Sequence, residues 1–350
     1  MNFIRRLFGE SNHTKDDTSR GDVISITQDA GDDSTPPPEP VIQAPEAHEK
    51  PKHDRETPED QGAKAPDLED TSDAPVVMGT RPLPPLETFE AKPGDRIVFG
   101  QLSDVGMVRG NNQDAVLSLT CVSSSSDNLP ECALFLIADG MGGHHDGEKA
   151  SAMTARIVSQ YVMQQIFDPL LAQEMDDPDR TPITEILRTA VQKANEAVGK
   201  HIPEGGTTVT CAVILDELAY IAHVGDSRAY LLTRDSIEQI TRDHSLVQRL
   251  IELDQLTPAE AAEHPQRNVL YRAIGQNENL DVDAVTRRLP PGSCLLLCSD
   301  GLWNMVSEET IRSVVLDHEH PQDACHQLVH LANERGGPDN ITVVLIQMPG

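Results

Sequence analysis

Basic residues are scarce in this chain: 28 Lys+Arg stand against 57 Asp+Glu, a formal net charge of −29 over 350 residues. That deficit excludes the basic stripe that nucleic-acid phosphates require. It also disfavours electrostatic attachment to an anionic membrane surface. Long hydrophobic runs are missing too, since no segment approaches the roughly 18 apolar residues that span a bilayer. The stretch Met1-Asn2-Phe3-Ile4-Arg5-Arg6-Leu7-Phe8 is basic and apolar but too short for the core of a signal peptide. It reads as the start of a solvated tail, with a docking stub as the alternative. A CxxC pair is a third absence. Cys121, Cys132, Cys211, Cys294, Cys298 and Cys325 are scattered through apolar segments without a CxxC pair. They read as small buried hydrophobes in a reducing compartment, which makes a cytoplasmic location the expectation. Neither a GxGxxG loop, a P-loop, nor an internal repeat is present.

Periodic apolar pattern is also absent from residues 1–94, which are acidic and proline-rich; 13 of the 25 prolines fall within the first 95 residues. Such a segment buries too little area to offset its ordering entropy, so it is expected to be disordered. A tether or recognition arm using the stretches at Pro36 and Pro82 is the other reading. From residue 95 onward the texture changes. Strands are expected at 97–102, 114–122, 132–138, 207–215, 218–224, 228–233, 281–288, 293–298 and 341–348. Helices are expected at 147–166, 183–200, 243–253, 257–263, 307–316 and 321–334. The very short turns joining 207–215, 218–224 and 228–233 predict antiparallel hairpin neighbours. Helices arriving in pairs indicate an α+β fold, and two antiparallel sheets packed face to face with helix pairs outside would accommodate this order.

What is plentiful is carboxylate at strand ends. Leu134-Phe135-Leu136-Ile137-Ala138-Asp139-Gly140 and Cys294-Leu295-Leu296-Leu297-Cys298-Ser299-Asp300-Gly301 each read as a buried strand that stops at Asp-Gly. A third acidic turn, Gly337-Pro338-Asp339-Asn340, leads into a strand, and Gly225-Asp226-Ser227 lies between two more. Gathered carboxylates repel one another unless a proton or a metal lies between them. Asp139, Asp226, Asp300 and Asp339 form an all-oxygen set suited to Mg²⁺ or Mn²⁺ and unsuited to structural zinc. The loop Arg109-Gly110-Asn111-Asn112-Gln113-Asp114 adds an arginine, whose planar fork fits phosphate. Asp139-Gly140-Met141-Gly142-Gly143-His144-His145 is glycine-rich without the spacing of a nucleotide cradle.

In order along the chain, Arg109 with Asn112-Gln113-Asp114, Asp139-Gly140-Met141-Gly142-Gly143, Gly206-Thr207-Thr208, Val224-Gly225-Asp226-Ser227-Arg228, Ser299-Asp300-Gly301-Leu302-Trp303 and Asp339-Asn340 resemble the metal-dependent (type 2C) protein serine/threonine phosphatases in their compact bacterial form. The resemblance runs from about Ile97 to Met348. It implies a four-layer αββα sandwich, with 95–350 as the catalytic domain. It further implies two Mn²⁺ or Mg²⁺ ions bridged by Asp139, one of them also taking the Gly140 carbonyl, with Asp300 and Asp339 on the other. Asp226, with Asp300, matches the positions of a third, looser ion. By the same resemblance Arg109 binds phosphate, Asp114 positions a metal-bound water, and His144 is the general acid. Gln113 stands where many relatives carry Glu, which implies altered metal affinity. Residues 241–273 fall where the family has a flap, and the capping signal Thr257-Pro258-Ala259-Glu260 predicts that it is partly helical.

The activity so implied is hydrolysis of phosphoserine and phosphothreonine in proteins by a hydroxide bridging two ions. Phosphorylated proteins and a cognate serine/threonine kinase are the expected partners, and a monomer the expected state. One rival is a non-catalytic phosphoprotein-binding scaffold on the same fold, which predicts gaps among the carboxylates; the sequence has none. A second rival is another two-metal hydrolase such as a phosphodiesterase. Those recruit histidine ligands, and only His144 and His145 lie near the acidic loops.

Overall fold

A computed structural model describes residues 96–123, 129–142, 146–175 and 179–350. The expectation of disorder over 1–94 and the reading of His144 lie outside these residues. The strands are β1 (Val98–Asp104), β2 (Asp114–Cys121), β3 (Cys132–Gly142), β4 (Gly205–Thr207), β5 (Val209–Leu215), β6 (Leu218–Val224), β7 (Arg228–Leu232), β8 (Ile237–Gln239), β9 (Asp283–Arg288), β10 (Cys294–Cys298) and β11 (Ile341–Gln347). The helices are α1 (Asp146–Val162), α2 (Asp168–Leu171), α3 (Ile183–His201), α4 (Leu246–Glu252), α5 (Pro258–Ala262), α6 (Asp300–Trp303), α7 (Glu308–Asp317) and α8 (Pro321–Glu334).

One sheet has the order β1-β11-β10-β7-β8 and the other β2-β3-β5-β6-β9, with β4 added beside β3. Every pairing between these strands is antiparallel. Period-two alternation assigns each residue to a layer. Along β3, Ala133, Phe135 and Ile137 face the other sheet, where Leu295, Leu297, Val344 and Ile346 meet them. Their neighbours Leu134, Leu136 and Ala138 turn outward under α1 and α3. Leu296, Cys298, Val343 and Leu345 turn outward on the opposite side, beneath α7 and α8. The result is four layers, helix pair, sheet, sheet, helix pair, as the family resemblance implied and the paired helices accommodate. Each buried Leu, Ile or Phe contributes about 1.5–3 kcal/mol, and Phe99 and Phe135 meet edge-on across the sheets at 5.1 Å.

Four sequence expectations need correction. First, the chain between β6 and β7 is not a hairpin turn: β6 pairs with β5 and β9, whereas β7 pairs with β10 and β8. Gly225-Asp226-Ser227 carries the chain from one sheet to the other. Gly225 has φ +113°, and a Cβ there would come within 2.5 Å of the Thr208 side chain, so only glycine makes this crossing without strain. Second, β3 does not stop at Asp139-Gly140; it continues to Gly142 because β4 supplies hydrogen-bonding partners, Gly140 standing opposite Thr207. Third, the helix placed at 243–253 begins only at Leu246, capped by Ser245, and Asp243-His244 form a buried loop. Fourth, the helix placed at 147–166 is α-helical only to Val162 and runs on through a π turn at Met163–Phe167 into α2, the π turn lying just before Pro169, whose ring cannot sit in a regular helix interior.

Candidate metal centre

Antiparallel order brings the ends of five elements to one edge of the sandwich. Asp114 opens β2 directly opposite Asp139 on β3. Asp300 lies two residues after β10, Asp339 two residues before β11, and Asp226 in the crossing between the sheets. The carboxylates lie near enough to act on one another. Burial first, and then repulsion by Asp114, Asp300, Asp226 and Asp339, holds Asp139 well above the ordinary carboxylate range. Asp300 is raised in the same way by burial, Asp226, Asp339 and Asp114. Burial and Asp243 push Asp226 up to about 7. Burial also lifts Asp114, to about 6, although Thr342 Oγ1 (2.6 Å) and Ser299 Oγ (2.9 Å) donate to its Oδ2. Arg109, Asp114, Asp139, Asp226, Asp300 and Asp339 are thus all brought together, with the Gly140 backbone beside Asp139.

Backbone stitching holds this edge still. The Asp139 amide donates to Thr208 Oγ1, and the Asp139 carbonyl accepts from the Thr208 amide (2.8 Å) and from Thr207 Oγ1 (2.8 Å). Gly140 passes so close to α1 that a Cβ would lie 2.3 Å from the Gly147 carbonyl oxygen. Asn340 is buried, accepts from the Gln113 amide at 2.8 Å, and donates to the carbonyls of Val105 and Asn111. It thereby fixes the loop that carries Arg109, whose Nη2 donates to Asp339 Oδ2 at 2.7 Å. Gln113 is itself buried, and its carbonyl accepts from Ser151 at the start of α1 (2.6 Å).

The sequence reading missed the layer behind Asp226. Trp303 Nε1 donates to the Asp226 carbonyl at 3.0 Å. The Arg228 guanidinium stacks 3.7 Å from the Trp303 ring centre and binds both oxygens of the buried Asp243. On the other side His244 pairs with Gly225. A signal was present for Arg228, which opens the apolar run Ala229-Tyr230-Leu231-Leu232, but not for Asp243, which stands among Thr241, Arg242, His244 and Ser245. A pairing across 15 positions, however, is invisible without the fold.

The donor set suits a hard divalent cation. Oδ1 of Asp114 and of Asp300 are buried with no hydrogen-bond partner among the described residues, a cost that a cation or a held water removes. No three acidic, histidine or cysteine side chains among the described residues enclose an ion by themselves. A cation here would therefore be held by one or two carboxylates with carbonyl oxygen and water, the habit of Mg²⁺ and Mn²⁺. Asp139, Asp300, Asp339 and Asp226 are the side chains that could do so.

The family model for protein phosphatase 2C matches residues 109–334, a span containing five of the six clustered residues. Protein phosphatase PhpP of Streptococcus pneumoniae is 38% identical over 248 residues, covering 71% of this chain and 96% of the relative. The crystal structure of the Mycobacterium tuberculosis serine/threonine phosphatase PstP/Ppp superposes with TM-score 0.60 at 32% identity, covering 73% of this chain and 100% of that one. A structure of the PstP catalytic domain in complex with two manganese ions gives TM-score 0.58 at 31% identity, over 72% and 98%. By fold, by the order of its acidic loops and by sequence, this chain belongs to the protein phosphatase 2C family.

Proposed function

We propose that the acidic edge is the reaction centre of a metal-dependent protein serine/threonine phosphatase, with residues 95–350 as its catalytic domain and 1–94 as an appended region. The observation that carries this reading is the meeting of buried, mutually repelling carboxylates from both sheets, two of them with unpartnered oxygens, beside one arginine. Two Mn²⁺ or Mg²⁺ ions fit Asp139, the Gly140 carbonyl, Asp300 and Asp339, and a third fits Asp226 with Asp300. Divalent cations so held supply Lewis-acid charge and a water acidic enough to ionise near neutral pH.

The chain's own residues supply the rest. A guanidinium carries five N–H donors, so Arg109 can keep Asp339 on one edge and hold phosphoryl oxygens with another, offsetting charge as it develops. Ser299 and Thr342 fix Asp114 through Oδ2, which leaves Oδ1 to accept from and orient a water. His144 is the proposed donor of a proton to the departing serine or threonine oxygen. Five of the cysteines are not poised as nucleophiles: burial pushes the thiols of Cys132, Cys211, Cys298 and Cys325 up to about 12 and that of Cys294 to about 11, so these stay protonated, and Cys121 lies at the opposite end of β2 from Asp114.

Phosphorylated proteins are the proposed substrates, a serine/threonine kinase the proposed counterpart, and a monomer in the cytoplasm the proposed working form. No helix among the described residues is long and apolar enough to cross a membrane. The test is phosphate release from a phosphothreonine peptide. It should require Mn²⁺ or Mg²⁺, stop on chelation, and be lost in Asp300→Ala. Undiminished turnover in the presence of chelator would overturn the reading.

A further inference from the structure

The imidazole of His244 has no part in the chemistry above, yet it sits almost fully buried between two elements of different kinds. Its main-chain N–H donates to the Gly225 carbonyl at 2.7 Å, and the Gly225 N–H donates back to its Nδ1 at 3.1 Å. This reciprocal pair grips the one residue that lets the chain cross between sheets, immediately before Asp226. With Nδ1 accepting, the proton lies on Nε2, which donates to Asp283 Oδ2 at 3.2 Å. Asp283 is in turn held by Arg272, whose Nη1 donates to Oδ1 at 3.0 Å and whose Nη2 donates to Asp281 at 2.7 Å. The His244 carbonyl accepts from the Tyr271 amide at 2.9 Å. Both ends of the segment between Ser245 and Leu270 therefore close on one histidine, which in turn holds the Asp226 loop.

We propose that His244 is a positioning residue for Asp226, acting through Gly225, and that Asp283 with Arg272 fixes the orientation of its ring. The Asp226 loop is then held on each side, by Trp303 on the Asp226 carbonyl, by Thr208 and Thr210 on the hydroxyl and carbonyl of Ser227, and by His244 on Gly225. An aspartate one residue from a glycine at φ +113° has no regular hydrogen-bonded ladder to hold it, so these grips together set where its carboxylate stands, and His244 supplies the one on the glycine side. Because Tyr271 and Arg272 share the clamp, a displacement of the segment between α4 and β9 is transmitted to Asp226. This proposal rests on the reading of Asp226 as a cation ligand only for its effect on metal affinity; the positional claim stands apart from it.

Trp303 is the chain's only tryptophan, so its emission reports directly on the Asp226 loop. The experiment compares full-length wild type with His244→Ala, His244→Asn and Asp283→Ala by Trp303 emission and by calorimetric Mn²⁺ titration. An asparagine amide oxygen lies close to where Nδ1 was and can still accept from Gly225. His244→Ala should shift the emission and weaken the loosest Mn²⁺ step by about tenfold or more, the usual cost of losing a residue that orients a ligand. His244→Asn should restore most of both, and Asp283→Ala should show a smaller shift of the same sign. Wild-type emission and Mn²⁺ titration in His244→Ala would overturn the proposal, as would an Asn variant indistinguishable from the Ala one. If His244→Ala does not fold, Asp283→Ala decides, because Asp283 is half exposed. If wild type binds no Mn²⁺, the metal reading fails while the emission comparison still judges the clamp.

Discussion

Replacing Asp139 or Asp300 with asparagine separates two effects that the acidic cluster combines. The carboxylate repels its neighbours in the metal-free protein, and asparagine removes that charge at nearly the same volume. Metal-free Asp139→Asn is therefore expected to unfold at higher urea than wild type at pH 8, because burial and the neighbouring carboxylates disfavour the Asp139 charge that asparagine removes. The same change should lower Mn²⁺-dependent turnover by at least about a hundredfold. Loss of stability and activity together would point to a packing role instead. The pH dependence has a definite sign. Asp226 is lifted from 3.8 to about 7 in the folded state by burial and Asp243, so between those values the folded protein holds more protons than the unfolded chain. Its contribution is thus present at low pH and is lost as pH rises through about 7. Metal-free Asp226→Asn should consequently gain stability relative to wild type as pH is raised from 5 to 8, read as a widening difference in melting temperature. A difference that stays constant with pH would contradict the raised value.

At the scale of elements, the contacts that aim the site lie between segments far apart in sequence. Asp243 and Arg228 are both largely buried, with side chains 5% and 18% exposed. Asp243→Ala would strand the guanidinium, and breaking a buried pair in this way costs about 3–5 kcal/mol. Urea unfolding should show that loss, with a smaller loss in Asp243→Asn, which keeps an acceptor. Gly140→Ala tests the close approach of β3 and α1. Its methyl would collide with the Gly147 backbone oxygen, and relief by backbone movement should cost about 1–3 kcal/mol. These elements also mark what the sequence could and could not disclose. The runs Leu134–Ile137 and Leu295–Cys298 were legible because strands buried on both faces need continuous apolar residues. The capping box at Thr257 and Glu260 was legible for a local reason, and the structure contains it. The crossing at Gly225 was not, because a turn that pairs two strands and one that parts them use the same residues. Asp243-His244 looked like a helix start because Asp and Ser before apolar residues serve that purpose locally; the partners that bury them, Arg228 and Gly225, lie 15 and 19 positions away.

At the scale of the whole molecule, the helix pairs in the sequence indicated an α+β fold and were compatible with helices outside two packed sheets, and the family resemblance supplied the four layers. Charge is the property that remains to be turned into behaviour. With a net −29, the molecule repels an anionic phosphopeptide over a Debye length, about 8 Å at physiological ionic strength and about 30 Å at 0.01 M. Cations bound at the acidic edge reverse the field only locally. The approach of substrate should therefore depend on the charge flanking its phosphate, and in opposite directions for opposite signs. For a phosphothreonine peptide flanked by Glu, added salt screens repulsion, so kcat/KM should rise by several-fold between about 10 mM and 150 mM salt. For the same peptide flanked by Lys, salt screens attraction and kcat/KM should fall. The value of kcat itself should be nearly unchanged in both series, because screening acts on encounter and the site contacts are short. Measuring the two peptides side by side at fixed Mn²⁺ also removes any common effect of salt on the metal. Salt curves of the same slope for both peptides would show that the long-range field of the chain does not govern substrate approach.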